Sequence, residues 1–99
     1  MAQWRFLTNH ARTLVCIAHD PGMRLIDIAA IVGITERSAF AIVGDLIEGG
    51  YVAKEKEGRR NRYHIKIDAP LGEAIGRQRS IGELLALLVD SQDVTEKVT

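Results

Sequence analysis

Ninety-nine residues, 46% of them hydrophobic, can bury one core and leave no room for a second independent domain. Basic and acidic residues number 13 each, so the net charge gives no reason to expect a polyanionic partner. No apolar run approaches the roughly 20 residues of a membrane-spanning helix. A single cysteine, which excludes an internal disulfide, and a start without the pattern of a signal peptide predict a cytoplasmic protein.

The first part of the chain predicts two helices separated by a turn. Thr8 is a predicted N-cap, and the apolar spacing after it indicates a helix that ends near His19. Asp20-Pro21-Gly22 then stops this helix. A second, shorter helix begins near Leu25 and ends at Gly33, because the same apolar spacing repeats between them.

A third helix follows the short turn at Gly33. Thr35 can cap it by accepting a hydrogen bond from the amide of Arg37 or Ser38, and Gly49-Gly50 closes it. Its predicted core-facing residues are Ala39, Ile42, Val43 and Leu46. The second and third helices therefore form a helix-turn-helix pattern, with the longer helix in the recognition position.

Residues 51–57 and 61–67 predict two strands around Gly58-Arg59-Arg60, which is rich in residues suited to a hairpin. In the second strand, apolar and polar residues alternate, as in a half-buried strand. A hairpin directly after a helix-turn-helix is a wing, which has two strands, or three if Met23 to Leu25 pairs with it. Residues 54–66 hold six basic and two acidic side chains, so this wing carries nearly all the positive charge.

The C-terminal part predicts a connector and one more helix. Residues 68–79 contain proline and glycine without sustained periodicity. Ser80 and Glu83 then have the spacing of a capping box. The helix after them is apolar around most of its circumference, so we expect it to cover the surface of a partner through Ile81, Leu84, Leu85 and Leu88.

Four segments resemble those of small winged helix-turn-helix transcriptional regulators of bacteria and archaea, of the MarR-like or ArsR-like type. They are LTNHAR (7–12), VGITER (32–37), GGY (49–51) and GRRNRY (58–63). The resemblance covers roughly Trp4 to Val89, and the TER and GRRNRY motifs together are far more specific than either alone. One departure is the outward face of the third helix, which has Phe40, Ala41 and Gly44 where many members have polar or basic residues.

The resemblance implies a mainly α fold with a small antiparallel hairpin, which binds double-stranded DNA as a homodimer and regulates transcription. It implies a winged helix-turn-helix domain at 1–69, a connector and dimerisation helix at 70–90, and a flexible tail at 91–99. Arg37 is expected to contact base edges and the wing to contact the backbone or the minor groove. The expected DNA-binding residues are Thr35, Arg37, Ser38, Lys54, Lys56, Arg59, Arg60, Asn61 and Arg62.

Other interpretations of the sequence have less support. Phe40 can touch thymine methyl groups or pack within the protein, and packing is the preferred interpretation; docking of a protein partner on Phe40 and Ala41 is the alternative to DNA binding.

Cys16 and His19 share a helix face but His10 does not, so we expect Cys16 in the core and no metal site or other cofactor. No nucleophile has an evident base and no phosphate loop is present, so we expect no enzyme.

Overall fold

The computed structural model describes residues 5–72, 76 and 78–89, and within them the protein has four helices and one antiparallel hairpin. The predicted tail at 91–99 lies outside the described residues. The fold is mainly helical, as predicted. The elements are α1 (Asn9–His19), α2 (Leu25–Val32), α3 (Glu36–Glu48), β1 (Val52–Glu57), β2 (Arg60–Ile65) and α4 (Ile81–Leu88).

Side-chain caps fix the starts of three helices where the sequence predicts them. The hydroxyl of Thr8 accepts a hydrogen bond from the amide three residues later, and Thr35 does the same for α3. Ser80 and Glu83 form a complete capping box at the start of α4. Because each cap satisfies an amide that has no partner within its helix, these starts are determined by local sequence.

The turn between α2 and α3 depends on Gly33. Its φ of 84° is left-handed, a conformation that glycine adopts without the steric penalty of a Cβ. The amides of Gly33 and Ile34 both donate to the carbonyl of Ala29, which closes α2. Thr35 then caps α3, so only Gly33, Ile34 and Thr35 separate the two helices, and the predicted pair of helices joined by a short turn is confirmed.

The hairpin is tighter than the sequence predicts. Glu57 pairs with Arg60, so the turn consists of two residues, Gly58 and Arg59, and the second strand begins one residue earlier and ends two residues earlier than expected. Gly58 has a φ of 66° at the first central position, as a type II′ turn requires. Such turns match the twist of antiparallel strands, which explains the shorter connection.

Of the two alternatives for the wing, the structure has the two-stranded one, without a third strand at Met23 to Leu25. Within the described residues the sheet has two strands, and Leu25 is already the first residue of α2. A single backbone hydrogen bond of 2.9 Å joins the amide of Tyr63 to the carbonyl of Pro21 instead. The outer edge of β2 is therefore held against the turn before α2 at one point.

One hydrophobic core joins all four helices to the base of the hairpin. Its most deeply buried members include Ile17, Ile28, Ala39, Val52 and Leu85. Tyr63 reaches the same core from β2, and Cys16 belongs to it, as predicted. The described helices include none that is long and apolar enough to cross a membrane.

The connector brings α4 back onto this core. Pro70 and Ser80 form an isolated antiparallel β-bridge. Next to it, the amide of Ile81 donates to the carbonyl of Ala69 at 2.8 Å, and the amide of Gly82 donates to the carbonyl of Ile67 at 2.9 Å. A Cβ on Gly82 would lie 2.8 Å from the Cβ of Ile67, so the close approach requires glycine. In consequence α4 packs on the helical body through its first turn and its inner face.

Candidate nucleic-acid interface

The basic side chains of the wing lack acidic partners, and all but one of them are exposed. Within the described residues, none of the wing cations (Lys54, Lys56, Arg59, Arg60 and Arg62) is within 4 Å of a carboxylate oxygen, and Arg62 alone among them is half-buried. By contrast, Arg24 and Arg79 on the helical body pair with Asp27 and Glu83. The positive potential of the wing is therefore not neutralised by pairing within the fold.

The register of the hairpin separates its charges into two faces. Alternation along β1 places Lys54 and Lys56 on the same face as the buried Val52, and they lie opposite Tyr63 and Asn61. The other face carries Glu55 and Glu57 opposite Arg62 and Arg60, together with His64, which hydrogen-bonds Glu55 at 3.0 Å. The face continuous with the core thus has two unpaired lysines and no acid, whereas the opposite face is mixed.

The charge count along the chain shows the wing as one basic segment and does not show this division. The alternation of lysine and glutamate from 54 to 57 carries the signal. A period of two in a strand puts the lysines together and the glutamates together. The sequence therefore contained the division, once the strand was assigned.

Arg60 has a structural contact that the other wing arginines lack. Its guanidinium donates a hydrogen bond of 2.6 Å to the carbonyl of Gly22. Together with the bond between Tyr63 and Pro21, this contact holds the wing against the turn before α2. We therefore assign Arg60 a positioning role, while Arg59 in the turn has no protein partner among the described residues.

A cleft of about 280 Å³ lies between the tip of the wing and the start of α3. Arg59 and Arg60 line it from the wing, and Glu36, the first residue of α3, lines it from the helix. The remaining wall comes from residues 22–26 and the wing residues Asn61 and Tyr63. Arg59 and Arg60 at the tip of the wing thus border the same cleft as the first residue of α3.

The central stripe on the outward face of α3 has a charged residue at each end, Arg37 and Glu48, and none between them. At 100° per residue, Arg37, Ala41 and Gly44 lie opposite the buried stripe, and Phe40 lies on the flank shared with Glu36. Phe40 is 67% exposed, so the preferred interpretation that it packs within the protein is wrong. Arg37 is exposed and free of protein partners within the described chain.

The hydroxyl groups at the start of α3 take part in its cap. Thr35 accepts from the amide of Ser38 at 3.0 Å and donates to the Ser38 hydroxyl at 2.9 Å. The Ser38 hydroxyl keeps its own proton for another acceptor. Contact of Thr35 and Ser38 with DNA stays a prediction, and Arg37 is the one cation in this first turn.

The three residues considered as metal ligands have separate environments. His10 hydrogen-bonds Asp45 across α1 and α3 at 2.8 Å, and His19 is exposed at the end of α1. Burial raises the pKa of the Cys16 thiol, and the nearby Arg12 guanidinium opposes this increase. In the described part of the chain, no three potential ligands come together.

The expected dimer surface needs a correction. Ile81 and Leu85 are only 5% and 1% exposed because α4 packs them into the core of its own chain. They are unavailable to a partner in this conformation. Leu87 and Leu88 are 84% and 40% exposed, and Leu84 is half-buried, so the outer leucine surface of α4 consists of Leu84, Leu87 and Leu88.

Neither models of known protein families nor curated proteins match this chain. Its function is therefore inferred from its own residues and their arrangement.

Proposed function

We propose that this protein binds double-stranded DNA as a homodimer and regulates transcription. The observation that carries the proposal is the set of unpaired cations on the wing, whose tip borders the start of α3. In a winged helix-turn-helix, α3 enters the major groove and the wing contacts the backbone or the minor groove. Arg37 in α3 and Arg59 in the wing are then the residues best suited to bind DNA.

Electrostatics accounts for the affinity in this proposal. Arg59 in the turn and the two lysines on the core-continuous face supply cations for the phosphates. If each subunit neutralises about three phosphates, a dimer makes about six contacts, and the slope of log affinity against log salt is about −5. Strongly salt-sensitive binding is therefore expected from a chain of zero net charge.

The test is a titration of the purified protein against mixed genomic duplex DNA at several salt concentrations. Arg59→Ala removes one phosphate contact from each subunit, so it should lower the magnitude of the dimer's salt slope by about 2. Lys66→Ala is the matched control, because it removes one exposed basic side chain just beyond the base of the hairpin. An unchanged slope in the control and a reduced slope in Arg59→Ala support the proposal.

Absent or salt-indifferent binding would contradict DNA binding and favour the alternative. In that alternative the fold is a protein-interaction module that docks a partner on Phe40 and Ala41. The exposed aromatic ring of Phe40 is the observation in its favour. The same titration therefore separates the two functions.

Dimerisation through α4 is a separate part of the proposal. Leu84, Leu87 and Leu88 flank two apolar clefts of about 500 and 280 Å³, which are also lined by Leu71. A second copy covering this surface would remove the exposed leucines from water. Two-fold symmetry would then set the recognition helices about 34 Å apart on a palindromic site.

Replacing Leu87 and Leu88 with lysine should convert dimers to monomers in sedimentation, because charges would enter an apolar interface. Ile26→Lys is the control, since it adds a charge at an exposed isoleucine on α2 without touching the α4 surface. A wild-type protein that already sediments as a monomer would contradict this part of the proposal.

A further inference from the structure

Gly44 occupies a place in α3 that the fold does not explain. It lies in the interior of a 13-residue helix, where glycine is less favourable than alanine. A Cβ built on it would meet no atom within 4 Å, and its φ is not left-handed. Packing within the described chain therefore gives no reason for glycine here, and an approach from outside does.

The residues around Gly44 specify the chemistry of what approaches. On the outward face, Arg37 supplies the one positive charge, and Glu48, one turn after Gly44, supplies a negative charge. Between these ends Phe40 supplies an apolar ring and Ala41 supplies a methyl group. Asp45, on the far flank, is engaged by His10. This surface can form few hydrogen bonds to base edges, but it can make apolar contacts at short range.

In the major groove of DNA, the C5-methyl group of thymine is the apolar feature of the base edges. Phe40 lies on the flank of α3 shared with Glu36, which lines the cleft beneath the wing arginines. A polyanion bound to the wing would therefore extend past Phe40. The charge complementarity of the wing favours a duplex over a protein as the occupant of this face.

We infer that Phe40 contacts thymine methyl groups in the major groove and that Gly44 lets the backbone of α3 approach the groove closely. The inference rests on the proposed DNA binding and adds the chemistry by which sequence is selected. Preferred sites should contain thymine at a fixed position in each half-site. Phe40 is then a specificity-determining residue.

The experiment begins with selection of bound duplexes from a random DNA pool at low salt, followed by affinity measurements on a recovered duplex. Uracil then replaces each shared thymine, which removes one methyl group and leaves base pairing unchanged. Loss of one buried methyl contact should weaken binding by about fourfold for each half-site. In Phe40→Ala the thymine and uracil duplexes should bind equally well.

Phe6→Ala is the matched control, because it removes the other exposed phenylalanine, which lies ahead of α1. It should keep the preference for thymine. A second variant, Gly44→Ala, should raise the unfolding midpoint while weakening binding to the recovered duplex at least several-fold. Such opposite effects cannot come from a folding defect.

The outcomes separate this inference from the proposed function. Salt-sensitive binding without a shared thymine, or with equal affinity for uracil, would overturn the role of Phe40 while DNA binding by the wing stands. Unchanged affinity in Gly44→Ala would overturn the close approach of α3. Failure to bind any duplex would refute both the inference and the proposed function.

Discussion

Helices α3 and α4 make a useful comparison, because they begin in the same way and use their surfaces differently. Each starts at a hydroxyl cap, and each contains one glycine. In α4 that glycine is pressed against Ile67, whereas the glycine of α3 faces open space. Contacts within the chain thus explain the composition of the first turn and inner face of α4, whereas nothing in the described chain packs on Gly44 in α3.

The largest expected effect comes from truncating one large side chain on each helix. Leu85→Ala should lower the free energy of unfolding by about 3 kcal/mol, because it leaves a cavity at a residue 1% exposed. Phe40→Ala removes a larger side chain from α3 but should change stability by less than about 0.5 kcal/mol. Urea denaturation measures both. Similar losses would mean that Phe40 packs within the protein.

The glycines provide a second matched pair. Gly82→Ala should destabilise the protein by about 1–3 kcal/mol, because the new methyl group would collide with Ile67. Gly44→Ala should stabilise it by about 0.5–1 kcal/mol, since alanine favours the helix and the site is open. Opposite shifts in the thermal midpoint are the expected result. Shifts of the same sign would break the contrast between the two helices.

The N-caps of α3 and α4 should contribute equally to stability. The contrast between the two helices is then limited to the residues on their faces. Thr35→Ala and Ser80→Ala each remove the acceptor for a helix amide, so each should cost about 1 kcal/mol. Chemical denaturation of both variants at neutral pH provides the measurement. A loss confined to one helix would show that the other start is held by its packing.

The smallest effect concerns acid stability and is specific to α4. Hydrogen bonds from the Ser80 amide and the Arg79 side chain lower the pKa of Glu83. Because the folded value is below the unfolded one, this contribution to stability is complete above the unfolded pKa and disappears as pH falls through the folded pKa. Glu83→Gln should therefore reduce the loss of stability on acidification, as measured by urea midpoints across acidic pH. Parallel pH profiles would contradict this role.

Local signals account for the parts of the fold that the sequence predicted well. Thr8, Thr35 and Ser80 each act on an amide three residues away, and Gly33 acts on its own backbone. Such effects need no knowledge of distant segments. The helix boundaries and the short turn between α2 and α3 follow directly from these signals.

The errors arose where distant segments decide the outcome. Whether Phe40 is exposed depends on how α3 rotates against the body, and periodicity left this open because its flank borders the buried stripe. The inward orientation of Ile81 and Leu85 depends on hydrogen bonds between the connector and the start of α4. An apolar helix shows only that a surface must be covered; which face lies inward is set by tertiary contacts.

The charge of the sequence predicted where the candidate site lies, and the pairing register of the hairpin shows which of its side chains share a face. Sequence alone located the basic wing, but not the division of its lysines and glutamates between faces. Nor could it distinguish Arg60, which holds Gly22, from Arg59 in the turn. That difference depends on the fold bringing residues 38 positions apart into contact.

Cys16 has a practical consequence for experiments on every variant described above. It is the sole thiol of the chain, lies in the core, and has a raised pKa, so an alkylating reagent should find little reactive thiolate in the native state. Modification will then proceed mainly through transient opening of α1. The rate of labelling then reports how often the helical body opens locally, and no additional probe has to be introduced.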